Sequence, residues 1–230
     1  MSLVWTSLAV VGLGLVAVLL AVILRSGGWR RYPFLTAYLI FAFVYQVTAM
    51  AIYEKVNTAH SRLYANTYYT GDLVLHGLVL LMVLFLIREA LLGQRPFDLS
   101  ALIIFGAGVA FVVVTLAMLF NPNSGSGWVF TLSRNLSFIE ELLNFVLWTI
   151  LIRNRSRDIV LLLVSAGLGI QVTGEVIGRT ARLYTRSPAI SWLPDAIILL
   201  AEIGALLIWY RAFGAYSRQK AAKPQSSFAG

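Results

Sequence analysis

Seven long apolar runs constrain this chain more than any other feature. They are Leu3–Leu24, Pro33–Tyr53, Tyr68–Ile87, Leu99–Phe120, Leu132–Ile152, Ile159–Gly178 and Ser191–Tyr210. A helix needs about 20 apolar residues to cross the hydrocarbon of a bilayer. Barrel strands are shorter and alternate polar with apolar residues. These runs are long and continuous, so the expected fold is an all-α membrane protein, a bundle of seven transmembrane helices. The third, fifth, sixth and seventh runs contain polar residues, but each resumes its apolar pattern beyond them. Composition agrees: 59% of the residues are hydrophobic and 12% are charged, where a soluble domain carries roughly a quarter charged residues. Mean hydropathy is +0.81.

The net charge of +8 would ordinarily suggest nucleic acid. Here the basic residues sit in short connectors between apolar runs, and no soluble domain remains to bind a nucleic acid. Arg25, Arg30, Arg31, Arg88, Arg95, Arg153, Arg155, Arg157, Arg211, Arg218, Lys220 and Lys223 fall on one side of the predicted bilayer. Half as many, Lys55, Arg62, Arg134, Arg179, Arg182 and Arg186, fall on the other. The positive-inside rule then places the N-terminus outside and the C-terminus in the cytoplasm. The expected location is the cell membrane, the inner membrane if the source is bacterial. Trp5, Trp29, Trp128, Trp192 and Trp209 lie near the span ends, where amphipathic rings favour the interface. No Lys or Arg precedes the first run, and "AVILRSGG" lacks a small-residue cleavage site, so that run is expected to be a retained helix. Residues 1–212 form the expected transmembrane domain. Residues 213–230 are expected to be a short basic cytoplasmic tail, disordered in its composition. "NPNSGSGW" is a turn-rich outer loop.

Six of the ten acids lie inside predicted spans: Asp72, Glu140, Glu141, Glu175, Asp195 and Glu202. An acid at mid-span costs roughly 2.5–3.5 kcal/mol on translocon scales. Six facing lipid would cost on the order of 15–20 kcal/mol, more than a typical folding stability. They are therefore expected to turn inward and to meet water, cations or protons. In the fifth span, Arg134, Ser137, Glu141, Asn144 and Trp148 follow 3-4-3-4 steps and share a stripe. Glu140 points about 100° away, so Glu141 is the expected inward acid of the pair. Asp72 and His76 are four apart on the third span. Gln171, Glu175, Arg179 and Arg182 share a flank of the sixth, with Glu175 and Arg179 at ion-pair spacing. Asp195 and Glu202 are one heptad apart on the seventh. Tyr38 and Tyr45 form a stripe on the second, with Gln46 beside it.

By depth, these polar residues occupy the middle and outer half of the spans, and the cytoplasmic half is almost wholly apolar. That asymmetry implies a cavity open to the outside and closed inward. The candidate ligand-binding residues are Gln46, Asp72, His76, Arg134, Glu141, Asn144, Gln171, Glu175, Asp195 and Glu202. A purely structural reading competes for the outer charges, with Glu175, Arg179 and Arg182 as ion pairs that set helix positions. Both readings stand for the outer pairs, while the deeper group, with fewer cations nearby, favours function. "GEVIG", Gly174 to Gly178, has the small-x-x-x-small spacing of a close helix contact.

Several chemistries find no residues to carry them. The three lysines, Lys55, Lys220 and Lys223, lie outside the spans, which excludes a retinal Schiff base. His76 is the single histidine within a span, too few for a bis-histidine haem or a histidine-bound catalytic zinc. His76, Glu141 and Glu202 lack the Glu-x-x-His spacing of di-iron bundles. There is no cysteine, P-loop, nucleophile elbow or dinucleotide fingerprint. No metal, cofactor or enzymatic constellation is expected.

The segment "RRYPFLTAYLIFAFVYQ" and the overall plan resemble uncharacterised bacterial seven-transmembrane-helix membrane proteins. That resemblance implies the fold and no activity. Helix count and orientation are also similar to sensor modules attached to bacterial kinases, although no attached signalling domain is expected from these residues.

The expected function is receptor-like: the outward cavity holds a small polar or cationic ligand, and a cytoplasmic protein partner reads the change. A proton-coupled transporter or ion pathway is the first alternative, weakened by the apolar inner half and the absence of an inverted repeat. A structural subunit of a larger complex is the second. The partners expected are the lipid bilayer, the ligand and that cytoplasmic protein. The orientation predicts that a C-terminal reporter active only in the cytoplasm will fluoresce, and that an N-terminal epitope will be reached by antibody on intact spheroplasts. The opposite pattern would reverse the bundle.

Overall fold

A computed structural model describes residues 3–56, 62–92, 128–154, 158–185 and 190–222. Among these residues the regular structure is entirely helical: α1 (Leu3–Ser26), α2 (Pro33–Val56), α3 (Arg62–Leu92), α4 (Trp128–Arg153), α5 (Ile159–Tyr184) and α6 (Leu193–Ala222), with a 3-10 turn at Gly28–Arg30. Five helices, α2 to α6, carry stretches long and apolar enough to cross a bilayer. This is the build of a multi-pass helical membrane protein. Six of the seven apolar runs are thus seen as helices, and the run at Leu99–Phe120 lies outside the described residues.

Local chemistry explains the helix ends. Gly27 sits at φ 72°, a left-handed conformation that stops α1 at little steric cost. Pro33 opens α2 at the first helical position, where its missing N–H would have no partner anyway. Asp158 caps α5 by accepting from the backbone N–H of Val160 (3.1 Å) and Leu161 (3.3 Å). The expected tail boundary at 212 does not coincide with a helix end, since α6 continues through Ala222. Ala212 and Phe213 are fully buried and hold this extension to the bundle. The residues that follow, rich in Ala, Arg, Gln and Lys, are good helix formers. Residues 223–230 lie outside the described residues.

Each described helix packs on the next in the chain, and α6 returns to α1, so the six form a ring. Across the ring α3 also touches α5. Consecutive helices are antiparallel except at α3–α4, where the pairs His76–Glu140 and Ala90–Asn154 advance in the same direction, and helix ends collect at two poles. At one pole Arg31 pairs with Asp158, the Asn154 amide donates to the Ala90 carbonyl (3.2 Å), and Tyr32 meets Phe213 edge-on. Burial pushes the Tyr32 phenol well above its ordinary range, so it stays a neutral hydroxyl there.

The half of the bundle beside this pole is a dry core. Leu19 and Ile23 of α1, Leu35 and Leu39 of α2, Val83 and Leu86 of α3, Leu147 and Leu151 of α4, Val164 and Leu168 of α5, and Trp209 and Phe213 of α6 are all buried. Trp209 lies against Gly167, where a Cβ would collide with its indole, and donates to the Val164 carbonyl at 3.0 Å. The outward surface carries Ile40, Val44, Leu142, Phe145, Ile152, Ile177, Leu200 and Leu207. The exposed Thr48 and Thr149 hydroxyls fold back onto the carbonyls four residues earlier, each at 2.8 Å, and so present little polarity to the surroundings.

The α5–α6 contact is the most extensive. A Cβ at Gly174 would overlap the Ala201 side chain, and one at Gly178 would strike Ile198 and the Pro194 carbonyl oxygen. The "GEVIG" spacing therefore marks a real close approach. Gly174→Leu is expected to destabilise the protein by about 1–3 kcal/mol through overpacking, seen as a Tm several degrees lower in detergent. Gly14→Ala, whose Cβ meets nothing within 4 Å, should leave Tm unchanged or slightly raised.

Candidate functional site

The other half of the ring encloses a cleft of about 460 Å³ between α2, α3, α5 and α6. That volume falls in the range of small-molecule sites. Its polar lining alternates along each helix with the residues that pack the walls. Tyr38, Tyr45 and Gln46 come from α2, Tyr68, Asp72 and His76 from α3, Gln171, Glu175, Arg179 and Arg182 from α5, and Asp195 and Glu202 from α6. At its base Tyr38 lies edge-on to Trp209 with ring centroids 6.2 Å apart, so the polar cleft rests directly on the dry core.

One wall of the cleft is a charge knot centred on His76. Arg179 Nη2 lies 2.7 Å from Asp72 Oδ1, 2.6 Å from Glu175 Oε1 and 3.0 Å from His76 Nε2. Arg179 Nε adds a second bond to Glu175 at 3.0 Å. Behind the histidine, Nδ1 lies 3.1 Å from both oxygens of Glu140, which is wholly buried. Three helices, α3, α4 and α5, are joined in this way. Asp72 and His76 meet because they are one helical turn apart, and so do Glu175 and Arg179.

This geometry admits two protonation arrangements. A guanidinium only donates, so its contact with Nε2 makes that nitrogen an acceptor and leaves the ring proton on Nδ1, given to Glu140. A second proton on Nε2 would instead be given to Glu175 Oε1, 3.3 Å away, and would turn the Arg179 contact repulsive. Glu140 serves both arrangements as the acceptor that fixes the ring. Asp72, His76 and Glu175 also present donor atoms within 4.8 Å of one another, a set able to hold a divalent cation by donor type. Arg179 Nη2 fills the space among them, so the knot is closed by the chain's own cation.

Nearer the opening, Arg182 pairs with Asp195, both largely exposed. Deeper, Gln46 Nε2 donates to Glu202 Oε1 at 3.2 Å, and Gln171 Nε2 donates to the Tyr38 hydroxyl.

Seven of the ten expected ligand-binding residues line this one cleft: Gln46, Asp72, His76, Gln171, Glu175, Asp195 and Glu202. The expected ion-pair residues Arg179 and Arg182 line it too, with Glu175–Arg179 paired as their spacing implies. Glu141 and Asn144 do not line it. Glu141 accepts from the Thr173 hydroxyl at 2.9 Å on the α4–α5 flank, and Asn144 is buried against Gly169. The side chain of Arg134 lies outside the described residues. The inward acid of α4 is Glu140, a correction to the expectation for Glu141. The reason is the arc that α4 buries: Leu136, Glu140, Leu143, Leu147 and Leu151 mark its centre, and the polar stripe through Ser137, Glu141 and Asn144 is one edge of it. The sequence does hold a signal for this. Phe138, Leu142, Phe145 and Ile152 form the outward face, and Glu140 is roughly opposite them.

No known protein family, curated protein or solved structure matches this chain. The functional reading therefore rests on the cleft and its charges.

Removing His76 would leave Glu140 wholly buried without its partner. His76→Leu is expected to cost about 3 kcal/mol, the range for breaking a buried pair from one side. Much of that loss should return in the double variant His76→Leu/Glu140→Leu. A double-mutant cycle on thermal unfolding in detergent measures the coupling; an additive result would mean the pair does not interact.

Proposed function

We propose that this protein is a seven-helix receptor of the cell membrane, with its N-terminus outside, that binds a small polar or cationic ligand in the cleft between α2, α3, α5 and α6. The observation that carries the reading is the division of the bundle into two halves. Polar residues from four helices converge on one cavity in one half, while the other half is packed with aliphatic and aromatic side chains. A cavity that is polar, accessible at one pole and blocked toward the other suits binding better than passage. The positive-inside count puts the blocked pole, with Arg31 and Arg153, on the cytoplasmic side. Ligand entering among four helices would shift their packing, and the helical extension of α6 to Ala222 offers a cytoplasmic partner a surface that moves with the cleft.

The second reading, a proton-coupled pathway, draws on Glu202 and on the two arrangements open to His76. It meets the core below Tyr38 and Trp209, where among the described residues the buried hydroxyls of Ser26, Thr36 and Ser165 are each folded onto a backbone carbonyl of their own segment and offer no carboxylate or histidine onward.

Two measurements separate these readings. A ligand present at 100 times its Kd stabilises the bundle by about 2.7 kcal/mol, which for a protein of this size raises Tm by several degrees. Screening small polar and cationic compounds against the purified protein should yield such shifts. In proteoliposomes with an internal pH-sensitive dye, the receptor reading expects no protein-dependent proton flux. Flux that disappears in Glu202→Gln would replace the receptor with a proton pathway.

A further inference from the structure

The cations of the cleft are unevenly shared among its acids. Arg179 serves Asp72 and Glu175, and Arg182 serves Asp195. Among the described residues no Lys, Arg or His approaches Glu202 within ion-pair distance, and its hydrogen bond is the one from Gln46. Glu202 is thus the carboxylate of this cleft whose charge no described cation meets. A short distance away in the same lining, Gln171 is 9% exposed. Its amide nitrogen is taken up by the Tyr38 hydroxyl, while its Oε1 is buried with no hydrogen-bond partner. Buried amide oxygens are nearly always satisfied; among the described residues Gln171 Oε1 and Asn144 Oδ1 are not, and Gln171 is the one of the two that belongs to the cleft lining, where a donor can come from a ligand. The rings of Tyr38 and Tyr45 complete the lining around these two groups.

These features select one ligand chemistry. The Gln171 amide oxygen and the second oxygen of Glu202 are acceptors, and the amide nitrogens of Gln46 and Gln171 each already donate one N–H, to Glu202 and to Tyr38. Carboxylate and phosphate ligands would face Glu202 with like charge. A neutral hydroxyl compound would leave that charge unmet. A quaternary ammonium would meet the charge and the aromatic faces but has no N–H for Gln171. A primary ammonium carries a positive charge and three donors at one atom. We infer that the cleft is a primary-amine site, in which Glu202 and the Gln171 amide oxygen hold the ammonium group and the tyrosine rings flank the carbon that bears it. The inference rests on the receptor reading above and specifies its ligand class.

The full chain, purified in detergent, is titrated with four probes of matched shape: 2-phenylethylammonium, 2-phenylethanol, its N,N,N-trimethylammonium analogue and 3-phenylpropionate. Binding is read by isothermal titration and by Tm. The expected order places the primary ammonium at least tenfold tighter than the trimethyl analogue, with the alcohol weaker still and the carboxylate without effect. Glu202→Gln should weaken the primary ammonium at least tenfold. Gln171→Leu should narrow the gap between primary and trimethyl probes. Glu141→Gln, an acid outside the cleft, should leave affinity unchanged. The wild-type series is decisive even where a variant fails to fold, because the discrimination among probes needs no substitution. Equal binding of the ammonium and the alcohol, or preference for the carboxylate, overturns the amine site and leaves a binding cleft. Absence of binding by all four probes and by a broad set of polar metabolites overturns the receptor reading as well.

Discussion

A charge placed among hydrocarbon-facing helices has to be answered by another group, and the knot around His76 is where this protein does so. Arg179 satisfies two carboxylates with one guanidinium, and His76 links that group to a third, Glu140, on a different helix. Each member is costly alone. Together they tie α3, α4 and α5 at a fixed depth and rotation, because moving any one helix by a turn would leave buried charges without partners. Such bonds add little net stability in membranes. Their effect is to specify which faces of three helices meet.

The placement of this knot shapes the cleft beside it. Once Arg179 is committed to Asp72 and Glu175, and Arg182 to Asp195, the acid on α6 is left facing the cavity with an amide for company. The wall is therefore electrostatically closed on the α3–α5 side and open on the α6 side. Packing sets the same boundary from the other direction. The close α5–α6 approach at Gly174 and Gly178 and the seat of Trp209 on Gly167 bring these helices together, with Trp209 packed edge-on beneath Tyr38. Small residues draw α5 and α6 together, while Asp72 and His76 link α3 to α5 and Tyr38 links α2 to α5, and the cleft lies among these four helices.

Much of this was legible in the residue order. The apolar runs announced the helices, and the acids at helical spacing marked one set of inward faces; Asp72 with His76 and Glu175 with Arg179 are local pairs that spacing alone implies. Glu140 was not legible in that way. Its one-turn neighbours Leu136 and Leu143 are apolar, and the other two, Ser137 and Asn144, line up with Glu141 as well, so the polar stripe drew attention to Glu141, although the bundle buries the leucine face. In a bilayer both sides of a helix can be apolar, and polarity then marks an inward flank without locating its centre. The partnership of Glu202 with Gln46, and of Gln171 with Tyr38, joins residues far apart in the chain, and no periodicity within one helix encodes it.

What the residue order determined by itself is the helical membrane architecture, the polarity that splits the bundle into a wet and a dry half, and the pairs one turn apart. These follow from local geometry and from the cost of polar groups in hydrocarbon. The tertiary structure alone decided which acid of Glu140 and Glu141 turns inward, which carboxylates capture the arginines and which one is left to face the cleft. Those outcomes depend on the rotation of each helix about its own axis, and that rotation is settled by contacts between helices.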